Sequence, residues 1–164
     1  MNEASTTAGT DRLTAVTLDE TGLPAPTAEV EQERRVAIFD LLEQNRFGLP
    51  NAAAEGPYAL DLSIRDRRLV FSVRTEDGAP AAEFHLSLTP FRQIIKDYFQ
   101  ICEAYYDAVK RLPPSQIEAI DMGRRGIHNE GSRILQERLA GKVDLDDDTA
   151  RRLFTLVCVL HFKG

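Results

Sequence analysis

Between residues 58 and 88, hydrophobic residues alternate with polar or small ones in three successive sets. Tyr58, Leu60, Leu62 and Ile64 form the first set. Leu69, Phe71 and Val73 form the second, and Ala82, Phe84, Leu86 and Leu88 the third. A period of two places one residue set on one face of a strand. Asp66-Arg67 and Glu76-Asp77-Gly78 supply the turns between the sets, so the pattern predicts an antiparallel meander with one wet face. Leu13 to Leu18 alternates more weakly and predicts a short edge strand.

Elsewhere the spacing is helical. Thr27 is placed to cap a helix whose apolar face is Val30, Ala37, Ile38, Leu41 and Leu42 and which ends near Asn45. Glu29, Glu31 and Glu33 fall in its first turns, where carboxylates suit the positive helix end. A loop follows from Gly48 to Pro57. Thr89-Pro90 predicts the start of a second helix, with Phe91, Ile94, Ile95, Tyr98, Cys102, Tyr105 and Val109 along one side as far as Arg111. Pro113-Pro114 then interrupts the chain, Ser115-Gln116-Ile117-Glu118 has the form of a capping box, and Gly141 is a fitting stop. Asp146 to Asp148 open a last helix that is apolar nearly all round from Phe154 to Leu160, as a buried central helix would be.

The predicted architecture is α+β: a three- or four-stranded antiparallel β-meander packed on one face by about four helices, with the apolar C-terminal helix central. The small, polar stretch from Met1 to Arg12 predicts a disordered tail before a single domain over residues 13–164. The length of 164 residues suits one domain with a real core.

A net charge of −6 argues against nonspecific binding to nucleic acid or to an anionic membrane, and leaves room for a local basic pocket. The longest apolar run, Leu156 to Leu160, is far short of a membrane span. The first ten residues lack the basic start and apolar centre of a signal peptide. Cys102 and Cys158 lie in apolar stretches and read as reduced core thiols, with a single disulfide as the alternative. The expectation is a cytoplasmic protein with no cofactor.

Candidate chemistry concentrates in Asp121-Met122-Gly123-Arg124-Arg125-Gly126-Ile127-His128-Asn129-Glu130-Gly131-Ser132. Each glycine inside a helix costs about 1 kcal/mol relative to alanine, so three in nine residues ask for close packing, a bend or a site. On an unbroken helix, Asp121, Arg124, His128 and Gly131 share an arc with Ile117, Ile120, Ile127, Ile134, Leu135 and Leu139. These polar groups then point toward the body of the protein. A break at Gly123 or Gly126 would void that phase. On one reading, Asp121 and Arg124 form an internal ion pair and His128 donates to a backbone carbonyl. On the other, Arg124 and Arg125 hold a phosphate or carboxylate, and His128 acts as acid or base with Asp121 orienting it. Asn129 and Glu130 lie off the arc, facing solvent or a partner, and complete the candidate ligand-binding set.

Other motifs fall short. Asp144, Asp146 and Asp148 resemble the start of a calcium loop, but Thr149 stands where its glycine belongs and Thr155 where its glutamate belongs. No metal-ligand spacing, phosphate loop or nucleophile elbow is present, so no metal is expected. His85 is expected on the wet face of its strand.

Several segments together carry a resemblance. They are Ala37-Ile38-Phe39-Asp40-Leu41, Leu86-Ser87-Leu88-Thr89-Pro90-Phe91-Arg92, Ile95-Lys96-Asp97-Tyr98-Phe99, Pro114 through Gly126, His128-Asn129-Glu130-Gly131, and Ala150 through His161. They resemble uncharacterised protein family 0262, found in alphaproteobacteria, over nearly all the chain after the tail. The resemblance implies a bacterial, cytoplasmic, single-domain protein, and it brings neither an activity nor assigned catalytic residues. Two function classes follow: a noncatalytic binding or regulatory module for a protein or anionic small molecule, and a small enzyme acting on a phosphorylated or carboxylated substrate through Arg124 and His128. Self-association is left open.

Overall fold

The computed structural model describes residues 9–52 and 54–161. The predicted tail lies outside the described residues up to residue 8. Asp11 and Arg12, placed in that tail from sequence, carry backbone hydrogen bonds: the Asp11 carbonyl accepts from Phe47 N at 2.9 Å and the Arg12 carbonyl from Tyr58 N at 2.8 Å.

The three alternating segments form β3 (Tyr58–Arg65), β4 (Arg68–Thr75) and β5 (Pro80–Ser87), paired antiparallel in sequence order. Tyr58, Leu60 and Leu62 are buried with Leu69, Phe71, Val73 and Leu86, as their parity requires. The opposite face is not uniformly wet, because the cross-strand pair Ser63 and Val70 is also buried. Asp66 and Arg67 turn the β3–β4 hairpin with positive φ at both residues. Strand β1 (Leu13–Leu18) occupies the edge beside β3 but runs parallel to it. The sheet is therefore mixed, in the order β1-β3-β4-β5. Two short pieces, β2 (Phe47–Gly48) and β6 (Asp144–Leu145), make a separate antiparallel ladder. At two residues each they are too short to show any alternation.

Four α-helices are present among the described residues: α1 (Ala28–Glu43), α2 (Arg92–Arg111), α3 (Pro114–Leu139) and α4 (Asp147–Leu160). Thr27 caps α1 by accepting from Val30 N at 3.2 Å. Asn45 clamps the other end: its Oδ1 accepts from Leu13 N at 2.7 Å, and its Nδ2 donates to the carbonyls of Leu13 and Leu41. One amide thus joins the end of α1 to β1.

Two predicted helix starts differ. Thr89-Pro90-Phe91 forms a 3₁₀ turn after Leu88, and the α-helix begins at Arg92. Helix α3 begins at Pro114 rather than Ser115, with no side-chain cap. Proline suits the first helical position because it gives up an N–H that had no partner anyway, and with the start one residue earlier Ser115 lies inside the first turn rather than at the N-cap. Helix α3 ends at Leu139, and Gly141 takes a left-handed φ of 80° to leave it.

Helix α3 is unbroken through Gly123 and Gly126. The last helix, α4, is central: Leu153, Phe154, Leu156, Val157 and Cys158 are fully buried, with α1 and α3 packed against it. Gly131 explains the closeness of α3 to α4. A Cβ there would come within 2.2 Å of the Phe154 ring. No comparable obstruction exists at Gly126, where a Cβ would meet open space.

Candidate functional site

Helices α1, α3 and α4 enclose a cleft of about 350 Å³. Its α4 wall presents Asp148, Arg151, Arg152 and Thr155, spaced three, four and seven residues from the first and so stacked on one helix face. The α3 wall contributes Arg124, Arg125 and His128, and the α1 wall Glu33, Val36 and Asp40. Arg46 N donates to Thr149 Oγ1 at 2.9 Å and Arg152 Nη1 to the Gln44 carbonyl at 3.4 Å. These bonds set the C-terminal end of α1 against the first half of α4. The two helices thus run in opposite directions along the cleft, and Asp40 and Asp148 fall at the same end.

At the other end sits the Asp121 cluster. Asp121 Oδ1 accepts from Arg124 Nε and Nη2 at 3.1 and 2.7 Å, while Oδ2 accepts from Arg125 Nε and Nη2 at 3.0 and 2.7 Å. Two bidentate guanidiniums hold the carboxyl below the usual carboxylate range. The Arg124 guanidinium also lies 4.6 Å from the centre of the Tyr105 ring and 3.8 Å from Glu33 Oε1. Glu33 in turn accepts from Tyr106 Oη at 2.8 Å. Asp121 and Arg124 do pair, but Arg125 shares the carboxylate. The cluster lines a cleft rather than an interior, with Arg124 30% exposed at its side chain.

His128 is mostly buried between the rings of Tyr98 and Phe154, at centroid distances of 5.8 and 5.7 Å. Its Nε2 lies 2.6 Å from Thr155 Oγ1, not against a backbone carbonyl. The Thr155 hydroxyl donates to the Arg151 carbonyl at 3.3 Å, so it accepts from Nε2–H, and the ring's lone pair is at Nδ1. Burial, followed by the facing Arg151 and Arg124 charges, pushes the His128 pKa down to about 4. The imidazole is neutral at pH 7. Asp121 and His128 are not in hydrogen-bond contact, since both carboxylate oxygens are taken by arginines and the histidine is oriented by Thr155.

Arg151 differs from Arg124 and Arg125, which are paired with Asp121. It is half-buried in the cleft and makes no ion pair among the described residues. Neither it nor Arg152, Thr155, Asp40 and Glu33 is a site candidate in the sequence reading. The available signal was the polar stripe Asp148, Arg151, Arg152 and Thr155 at helical spacing, on a helix that otherwise reads as apolar all round.

A model of the Uncharacterised protein family (UPF0262) matches residues 10–163. The chain belongs to this family. A family protein from Roseobacter denitrificans is 69% identical over 157 residues, covering 93% of this chain and 99% of the relative. One from a Jannaschia species is 73% identical over 148 residues, covering 90% and 95%. One from Cereibacter sphaeroides is 65% identical over 156 residues, covering 93% and 99%. No solved structure matches. UPF0262 is described as uncharacterised, so membership brings no activity with it.

The remaining candidates in this UPF0262 chain lie apart from the cleft. Asn129 and Glu130 are exposed, and Glu130 is held by Arg133 at 2.5 Å on the outer side of α3. His85 is exposed and bonded to Glu83 at 2.7 Å. Cys102 and Cys158 are free and buried, and burial pushes the Cys102 thiol up to about 11 and that of Cys158 well above its usual value. Asp146 caps α4 through Thr149 N at 2.9 Å, and Asp144 pairs with Arg46 at 2.8 Å, so two of the three calcium-like aspartates have structural partners. Among the described residues no cluster of ligating side chains could hold a metal, and no helix is long and apolar enough to cross a membrane.

Proposed function

We propose that this protein is a noncatalytic cytoplasmic binding module that holds a small anion of the phosphate or carboxylate class in the α1–α3–α4 cleft. The observation that carries this reading is Arg151, a half-buried guanidinium with no ion pair among the described residues. A charge withdrawn from water without a counter-charge is costly, and an arriving oxyanion would remove that cost. Arg124 and Arg125 would serve beside it, held in place by Asp121, as planar donors suited to bidentate oxyanion contacts. The cleft volume falls at the lower end of small-molecule sites. Reduced, buried thiols agree with a reducing compartment.

His128 serves this reading as a neutral wall rather than as an acid–base group. Its lowered pKa leaves it almost wholly unprotonated at pH 7, and its Nε2 proton is committed to Thr155. Asn129 and Glu130 have no part in the cleft.

Calorimetric titration with inorganic phosphate and pyrophosphate tests the proposal. Wild type should bind one anion saturably, Arg151→Gln at least tenfold more weakly, and the exposed control Arg74→Gln like wild type. Absence of binding to wild type, or equal binding to Arg151→Gln, would overturn it.

A further inference from the structure

Four charged groups of the cleft, Arg151, Arg152, Asp40 and Asp148, make no ion pair among the described residues. Their net charge is zero. Arg152 has only the Gln44 carbonyl at 3.4 Å, whereas Arg151, Asp40 and Asp148 make no side-chain hydrogen bond within the described protein. This is unusual for opposite charges on one wall. Asp148 stands three and four residues before Arg151 and Arg152 on α4, the spacing at which helical ion pairs form, yet none is closed. Opposite charges thus share one cleft with no ion pair closed between them among the described residues.

Their order along the cleft is also fixed. Asp148 lies in the first turn of α4 and is exposed. Arg151 follows one turn further in, roughly 5 Å along the helix, and Thr155 with its bonded His128 lies one turn beyond. On the facing wall, Asp40 belongs to the end of α1 that meets the start of α4, while Glu33 belongs to the Arg124 end. One end of the cleft therefore offers two unpaired carboxylates. The middle offers the Arg151 guanidinium, and Val36 and Ala37 supply an apolar stretch of wall between Glu33 and Asp40. A simple anion would gain from Arg151 but would meet repulsion from Asp40 and Asp148.

Resting on the anion-site reading above, we infer that the ligand is dipolar: a small molecule with a phosphate or carboxylate at Arg151 and an ammonium group at Asp40 and Asp148. Such a ligand satisfies three of the four open charges at once and leaves Arg152 on the Gln44 carbonyl. Carboxylates that would repel a plain anion then discriminate in favour of the aminated one, which is how a site gains specificity from groups that oppose the wrong ligand. The column of charge on α4 sets the distance between the two groups to a short carbon chain.

The test uses matched pairs: aminoalkyl phosphates with two-, three- and four-carbon chains, against the hydroxyalkyl phosphates of equal length. Each is titrated calorimetrically into wild type, Asp40→Asn and Asp148→Asn, with circular dichroism to verify folding. At the best-fitting length the amine should bind wild type at least tenfold more tightly than the alcohol, and that preference should collapse in one or both aspartate variants while alcohol binding holds or improves. Amine and alcohol binding alike would overturn the dipolar inference and leave the anion site standing. Failure of both series to bind wild type would remove the two together. A preference that survives in both variants would place the ammonium elsewhere and equally overturn the assignment.

Discussion

Burial against Tyr98 and Phe154, together with the facing Arg151 and Arg124 charges, keeps His128 neutral in the folded state down to about pH 4. In the unfolded chain a histidine titrates near 6.5. Between those values the unfolded state takes up a proton that the native state does not, so stability is lost as pH falls through that window. The slope from this one group reaches about 1.4 kcal/mol per pH unit at most. Urea denaturation between pH 7 and 4.5 should therefore show wild type losing stability more steeply than His128→Gln. Parallel curves would mean that the imidazole is not held neutral. Two glycines on α3 separate packing from propensity. Gly131→Ala forces a methyl into the buried Phe154 ring and should cost about 1–3 kcal/mol or more. Gly126→Ala meets nothing and should gain up to about 1 kcal/mol in helix propensity. Chemical denaturation of both variants checks this, and a neutral Gly131→Ala would contradict the packing of α3 on α4.

Elements with many alternating residues were readable from sequence because each position repeats the same information. Strands β3, β4 and β5 show this, as does α4 with its run of buried apolar residues. Features fixed by tertiary pairing alone were not. The direction of β1 depends on its pairing with β3, and β2 with β6 is a ladder of two residues a side. Neither leaves a periodic trace. The Asn45 clamp belongs to the same class, since a lone asparagine at a helix end reads only as a stop. Its three hydrogen bonds connect α1 to β1. Asn45→Ala would leave partly buried backbone groups unsatisfied, and it should destabilise the fold by about 1–3 kcal/mol in a thermal or urea melt. A smaller loss would show that water replaces the amide.

At the scale of the whole molecule, the cleft is assembled from three helices, and this governs how much of it was legible. The arc Asp121, Arg124 and His128 on α3 could be drawn from one helix and its phase. The structure keeps α3 continuous and turns Arg124 and His128 to the cleft. Which groups they meet is a matter of how α1 and α4 pack, and no single-helix pattern contains that. Thr155 took the place expected of a backbone carbonyl beside His128, and Arg125 joined Arg124 on Asp121. The net charge of −6 likewise gave no hint of four arginines around one cleft, because a net charge says nothing about its distribution.

In the proposed binding mode an oxyanion settles against Arg151 beside His128. The most direct test of this mode is a nuclear magnetic resonance titration with inorganic phosphate, following the His128 ring, the Thr155 amide and the Arg151 guanidinium. Saturable shifts should concentrate on these three residues, with no comparable change at the exposed His85. Shifts scattered over the exposed arginines without saturation, or none at His128 and Arg151, would contradict it.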